Sequence, residues 1–206
     1  MHDPALRVHI SLYNGMTVNF LYVIFRIAVG IRYTSVWFVS MAVYYFALGA
    51  LRLSLILGCR KNSNANEMLC YRRTAWMLFL LNIPMAGMIL LMIFTDSGFT
   101  YPGYVIYLSA IYTFYIMIYS AASLINCRRM ESPFFSAVKV LNFVSALMSV
   151  LGLQTAMIAQ FSVNDENFRR MMNAITGGFI WSAVILIAVY MLVRSGNSGK
   201  EAKHIE

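Results

Sequence analysis

Acidic side chains are scarce in this chain. Its 206 residues include 8 Asp and Glu against 16 Lys and Arg, and no acid falls inside a long apolar run. That scarcity argues against a proton- or metal-coupled carrier, which needs carboxylates or imidazoles near the membrane midplane. Histidine does not fill the gap, since His2, His9 and His204 all lie near the termini. There is no HExxH, the pattern of a helical zinc protease. A serine nucleophile would have no embedded His or Asp to activate it. The chain therefore reads as a non-enzyme that needs no cofactor.

Cysteine is equally sparse. Cys59, Cys70 and Cys127 form no CxxC and no Cys/His pairing at zinc-ligand spacing, so neither a metal site nor a structural disulfide is expected. Charge of either sign is low, at 12% of residues, while 60% are hydrophobic. A soluble domain carries about 25% charged residues to cover its surface. A lipid environment accounts for the difference. The net charge of +8 does not mark a nucleic-acid partner, because the basic residues sit in short clusters between apolar runs rather than along one helix face. Arg26 interrupts the first apolar run, so that run reads as a retained helix rather than a signal peptide.

What is present is length. A helix of about 20 mostly apolar residues crosses a hydrocarbon core. Six stretches qualify: about 10–31, 35–58, 74–95, 103–126, 134–161 and 174–193. The expected fold is all-α, a single transmembrane domain of six helices over residues 1–206. Pro102 and Pro133 stand at helix starts, where a missing N–H costs nothing. Pro84 lies inside the third run and predicts a kink there. The segment from Ser162 reads as an outer loop in which Asn164 or Asp165 caps a helical turn. Gly177 and Gly178 beyond it allow close approach of a neighbouring helix.

Loop charge sets the expected orientation. Arg7, Arg60, Lys61, Arg72, Arg73, Arg128, Arg129, Arg194, Lys200 and Lys203 fall on one side, and Arg32, Arg169 and Arg170 on the other. The basic-rich side is the cytoplasmic one, which places both termini in the cytoplasm of a multi-pass cell-membrane protein. The three cysteines share that side, where thiols stay reduced.

Residues 42–61, AVYYFALGALRLSLILGCRK, align without gaps to 110–129, AIYTFYIMIYSAASLINCRR. A parallel repeat of helical hairpins is one reading of this match. Shared composition and membrane polarity are the other.

Three basic residues lie within the predicted helices: Arg26, Arg52 and Lys139. Each costs about 2.5–3.5 kcal/mol at a helix centre on insertion scales, so such residues often mark function. Snorkelling of the long side chains to the interface is the structural alternative. If they converge, they form a positive cavity suited to an anion or lipid headgroup. On the fourth helix, Tyr101, Tyr104, Tyr112, Tyr115 and Tyr119 share an arc of about 80°. That face reads either as a hydroxyl-lined binding wall, with Tyr112 and Tyr115 at its centre, or as a packing seam. Gln154 and Gln160 on the fifth helix read as interhelical glue or as substrate ligands.

The runs WFVSMAVYYFALGALRLSLILGCRKN, LGLQTAMIAQF and RRMMNAITGG give the chain its resemblance to a group of uncharacterised multi-spanning bacterial membrane proteins. That resemblance implies six helices and no particular activity. The leading expectation is a small transporter or channel for an anionic or uncharged solute or a lipid. Its candidate ligand-binding residues are Arg26, Arg52, Lys139, Tyr112, Tyr115 and Gln154. The alternative is a non-transporting accessory module that docks a partner membrane protein or a second copy of itself.

Overall fold

The structure, a computed structural model, describes residues 17, 20–32, 36–59, 64–94, 103–126, 133–161 and 165–203. Among the described residues it is all-helical, with six helices: α1 (20–32), α2 (Val36–Cys59), α3 (Asn64–Phe94), α4 (Gly103–Asn126), α5 (Pro133–Phe161) and α6 (Glu166–Lys203). Among the described residues, three windows are long and apolar enough to cross a membrane: Met68–Phe94, Ser136–Phe161 and Glu166–Gly196. Large apolar side chains stand on the outside, among them Phe46, Phe94, Ile111, Phe161, Phe179 and Leu186. A surface of that kind suits lipid, which solvates apolar groups as readily as a protein core does.

Helix α5 is the centre of the bundle. It packs against α2, α3, α4 and α6, and 61% of its membrane window is buried, against 33% for α3 and 28% for α6. Small side chains make this burial possible. Ala137, Ser145, Ala146, Ser149, Gly152 and Ala156 let neighbouring backbones come close. Hydroxyls on this helix are turned inward onto carbonyls, as with Ser149 to Ala146 O at 2.8 Å and Thr155 to Leu151 O at 2.8 Å. Thr113 of α4 lies within hydrogen-bond distance of both Ser109 O, at 2.7 Å, and Ser149 O, at 3.2 Å, which ties α4 to α5.

Helices α3 and α6 form the second seam. A Cβ at Gly177 would stand 2.8 Å from Ile89 Cγ2, so this glycine admits the Ile89 side chain. Gly178 faces open space and plays no such part. Trp181 Nε1 donates to Asn82 O at 3.2 Å across the same seam. That carbonyl lies two residues before Pro84, and α3 runs through the proline without a break in helical structure.

The expected boundaries agree closely for α2, α4 and α5 and fall short for α3 and α6. Helix α3 begins at Asn64, about ten residues before the apolar run. Helix α6 extends beyond the expected 174–193 at both ends. Asp165 caps it, with Oδ1 accepting from Phe168 N at 2.9 Å, so the polar stretch after it is already helical. Hydropathy marks only the apolar part of a helix, and both helices continue into polar sequence beyond it. The early part of the first expected span and the loop residues Arg60, Lys61, Pro102, Arg128 and Arg129 lie outside the described residues.

Candidate functional site

Helix α2 presents a stripe at helical spacing, formed by Trp37, Met41, Tyr45, Leu48 and Arg52. All five are buried, and the stripe faces α5 and α1. Met41 reaches Gly152 of α5, while Arg52 reaches Leu141 and Ser145 of α5. The numbering rises on one helix as it falls on the other, so α2 and α5 are antiparallel here. Met41 and Arg52 mark two levels of one seam, about 16 Å apart along α2. Tyr45 stands between them.

Arg26 enters at the first level from α1. It is 1% exposed. Its Nε donates to Tyr22 Oη at 2.9 Å, and its Nη2 also donates to that oxygen. The guanidinium carbon lies 4.9 Å from the Tyr22 ring centroid, within cation–π range. Its Nη2 lies 2.8 Å from the point a Cβ at position 152 would occupy. Only glycine leaves this space on α5 unfilled.

Three tyrosines from three helices form the wall between the levels. Tyr22 and Tyr112 stack with centroids 3.6 Å apart and planes 6° from parallel. Tyr45 sits edge-on to both, at 5.3 Å from Tyr22 and 6.3 Å from Tyr112. Edge-on packing places ring hydrogens against π-faces, the favoured aromatic geometry. Tyr45 and Tyr112 both lie within electrostatic reach of Arg26 and Arg52.

Arg52 occupies the second level and is 4% exposed. Its Nη2 donates to Leu141 O at 3.2 Å and to Ser145 Oγ at 2.8 Å. Both acceptors are neutral. Among the described residues, Arg52 Nε, Tyr45 Oη and Trp37 Nε1 have no hydrogen-bond partner. The described acids, Glu67, Asp165, Glu166 and Glu201, stand near helix ends and none within the apolar middle of a helix. Chemically, the seam combines buried positive charge, unpartnered donors and aromatic faces, a set that favours an anionic group over a cation.

The sequence candidates divide. Arg26, Arg52 and Tyr112 belong to this seam. Lys139 does not: it lies about 120° around α5 from Ser145, on the stripe that is only partly buried. Tyr115 is 40% exposed and pairs with Tyr119, centroids 6.2 Å apart, on the outside of α4. Tyr104 is exposed as well, and Tyr101 lies outside the described residues. Gln154 donates to Thr176 Oγ1 at 2.6 Å, which makes it a tie between α5 and α6. Sequence reasoning passed over Tyr22, Tyr45, Ser145 and Gly152. Tyr22 stands four residues before Arg26, a spacing that places two helical side chains together. The spacing from Trp37 to Arg52 was the available signal for Tyr45.

No protein-family model matches the chain, and no curated protein matches it at a significant level. The functional reading therefore rests on the geometry of the seam.

Proposed function

We propose that the protein is a six-span membrane protein with cytoplasmic termini that takes a small anionic solute into the seam between α2 and α5, as a transporter or channel. The observation that carries this reading is the setting of Arg52. A guanidinium offers five N–H donors in a fixed fork. Here two hydrogen bonds go to neutral oxygens, and Nε has no partner among the described residues. Holding an ionised group in a low-dielectric interior is costly. An anion beside it supplies both the missing acceptor and the opposite charge. Tyr45 Oη and Trp37 Nε1 are further unpartnered donors on the same stripe of α2. No catalytic step is proposed.

The repeat is part of the proposal. When 42–61 is set against 110–129, buried positions coincide: Tyr44 with Tyr112, Tyr45 with Thr113, Leu48 with Ile116 and Arg52 with Ser120. Exposed Phe46 likewise meets exposed Phe114. Matching inward faces support two parallel hairpins derived from one unit.

Anion flux into proteoliposomes tests the reading directly. Purified protein is reconstituted with chloride, nitrate, phosphate and small carboxylates outside, and uptake is compared with that of Arg52→Gln. Uptake of one anion class that is lost in the variant supports it. A panel that moves no faster than through protein-free liposomes overturns it. A second reading, an accessory membrane protein, draws on the outer face of α4, where Tyr107, Ile111, Phe114 and Ile118 are all exposed. Stoichiometric recovery of another membrane protein, lost on Ile111→Arg, would favour it.

A further inference from the structure

A recess lies on a different face of α2, away from the arginine seam. It is a groove of about 650 Å³ between α2 and α3, near the ends where the two helices are connected in sequence. Its walls include Leu51, Leu69, Met77 and Leu80, and Trp76 flanks it. Arg72 and Arg73 line its mouth, both exposed. None of its lining residues is acidic.

We infer that this groove holds one phospholipid with an anionic headgroup, its phosphate at Arg72 and Arg73 and one acyl chain along the apolar wall. Depth supports a lipid over a free anion. From Arg72 to Leu80 the wall runs about 12 Å along α3, most of the half-thickness of a 30 Å hydrocarbon core. An acyl chain laid on this wall stays within one leaflet. Its lining starts near Met68, where the membrane window of α3 begins, so the arginines stand one turn inside the apolar boundary. Arginines at that depth reach headgroup phosphates, and paired guanidiniums match phosphate oxygens bidentately. Trp76 is the side chain that favours such a polar–apolar boundary. Basic recesses between membrane helices take up anionic lipid headgroups for these reasons. The inference does not depend on any ligand in the arginine seam.

Trp76 provides the readout. The protein is reconstituted into phosphatidylcholine vesicles containing a graded fraction of brominated-chain phosphatidylglycerol, or of brominated-chain phosphatidylcholine as the neutral control. Bromine quenches tryptophan on contact, and the variant Trp76→Phe removes the signal of this site from the total. Half-maximal Trp76 quenching is expected at a much lower mole fraction of phosphatidylglycerol than of phosphatidylcholine. Arg72→Gln with Arg73→Gln removes that preference, about thirty-fold for two interfacial charges. Arg32→Gln leaves it intact, because Arg32 does not line the groove. Ser54→Phe, which fills the groove without changing charge or adding a tryptophan, abolishes it too. Both substituted arginines are exposed, so the folded state survives their loss, and Arg72→Lys with Arg73→Lys restores part of the preference.

Equal quenching by the two lipids overturns the inference. So does a preference that persists in the double Gln variant. Full displacement by soluble glycerol phosphate would identify a free-anion site instead. Quenching that falls as protein density rises would identify a second copy of this chain in the groove.

Discussion

Arg26 Nη2 lies 2.8 Å from the point where a Cβ of Gly152 would stand, so a buried guanidinium from α1 is seated directly on the backbone of α5. Met41 Cε comes equally close, at 2.8 Å, from α2. Three helices therefore meet at one missing methyl group. The two crowding atoms are the ends of flexible side chains, and this fixes how the site responds to substitution. Gly152→Ala asks only the tips of Arg26 and Met41 to move, and it gains up to about 1 kcal/mol of helix propensity. Its stability is expected within about 1 kcal/mol of wild type. Gly152→Val adds branched bulk that reaches the Arg26 Cζ region, and overpacking of that kind costs about 1–3 kcal/mol. Unfolding by SDS in mixed micelles measures both. A Gly152→Val protein as stable as Gly152→Ala would show that α1 is not seated as described.

The Arg52–Ser145 contact calls for a double-mutant cycle. Ser145→Ala removes the 2.8 Å acceptor of a buried guanidinium and leaves its charge in place. An unsatisfied buried donor costs about 1–3 kcal/mol. Arg52→Met removes the charge and fills similar volume, which is often neutral or stabilising at buried ionic sites. In the Arg52→Met background, Ser145→Ala should therefore cost much less than in wild type. A coupling near zero would place the guanidinium's main support elsewhere.

Gln154 and Thr176 supply a contrast between tie and site. Their hydrogen bond of 2.6 Å joins α5 to α6 on a part-buried face. Interhelical hydrogen bonds in membranes average about 0.6 kcal/mol. Gln154→Ala is expected to lose roughly that much stability in SDS titration and to leave any anion-dependent stabilisation unchanged. Loss of the anion response in this variant would return Gln154 to the set of ligand-binding residues.

Arg26, Arg52 and Lys139 could be picked from the sequence because each is an ionisable residue inside an apolar run. Which of them share one seam, Arg26 and Arg52 at its two levels and Lys139 apart, could not. Lys139 is separated from Arg52 by its angle around α5, and that angle matters only once Leu141 and Ser145 are known to face α2. Tyr112 carries the same chemistry as Tyr115, and the helical arc groups both. The position of α1 decides between them, because Tyr22 stacks on Tyr112. With 13 tyrosines and 12 glycines in the chain, nothing local distinguishes Tyr22, Tyr45 or Gly152 from the rest. The apolar cores of the helices were legible for a simpler reason: hydropathy is summed over many residues and tolerates exceptions. The polar ends of α3 and α6 carry no such signal, and only the Asp165 cap announced one of them.

That cap is testable in isolation from the seam. Asp165 Oδ1 accepts from Phe168 N at 2.9 Å and also adds negative charge at the helix start. Asp165→Ala should cost about 0.5–2 kcal/mol, and Asp165→Asn only a fraction of it, because Asn caps nearly as well. Equal losses for the two variants would assign the effect to charge rather than to the hydrogen bond. The neighbouring Glu166–Arg170 ion pair is solvent-exposed, so Arg170→Gln should be nearly neutral.

The two adjacent glycines of α6 make the sharpest comparison. A Cβ at Gly177 would stand 2.8 Å from Ile89 Cγ2 and 3.2 Å from Cγ1, whereas one at Gly178 would meet nothing within 4 Å. A β-branched side chain cannot withdraw as the tip of an arginine can, because two heavy atoms on its Cβ leave few rotamers. Gly177→Ala therefore forces α3 and α6 apart and should cost about 1–3 kcal/mol. Gly178→Ala gains helix propensity at no steric cost and should stabilise by a few tenths to about 1 kcal/mol. Shortening the opposing residue supplies the control. Ile89→Ala on its own loses packing, but in its presence Gly177→Ala should no longer destabilise, since the clashing Cγ1 and Cγ2 atoms are gone. If Gly177→Ala is as costly in the Ile89→Ala background as in the wild-type chain, the seam does not close at this pair, and the register of α6 against α3 would have to be redrawn.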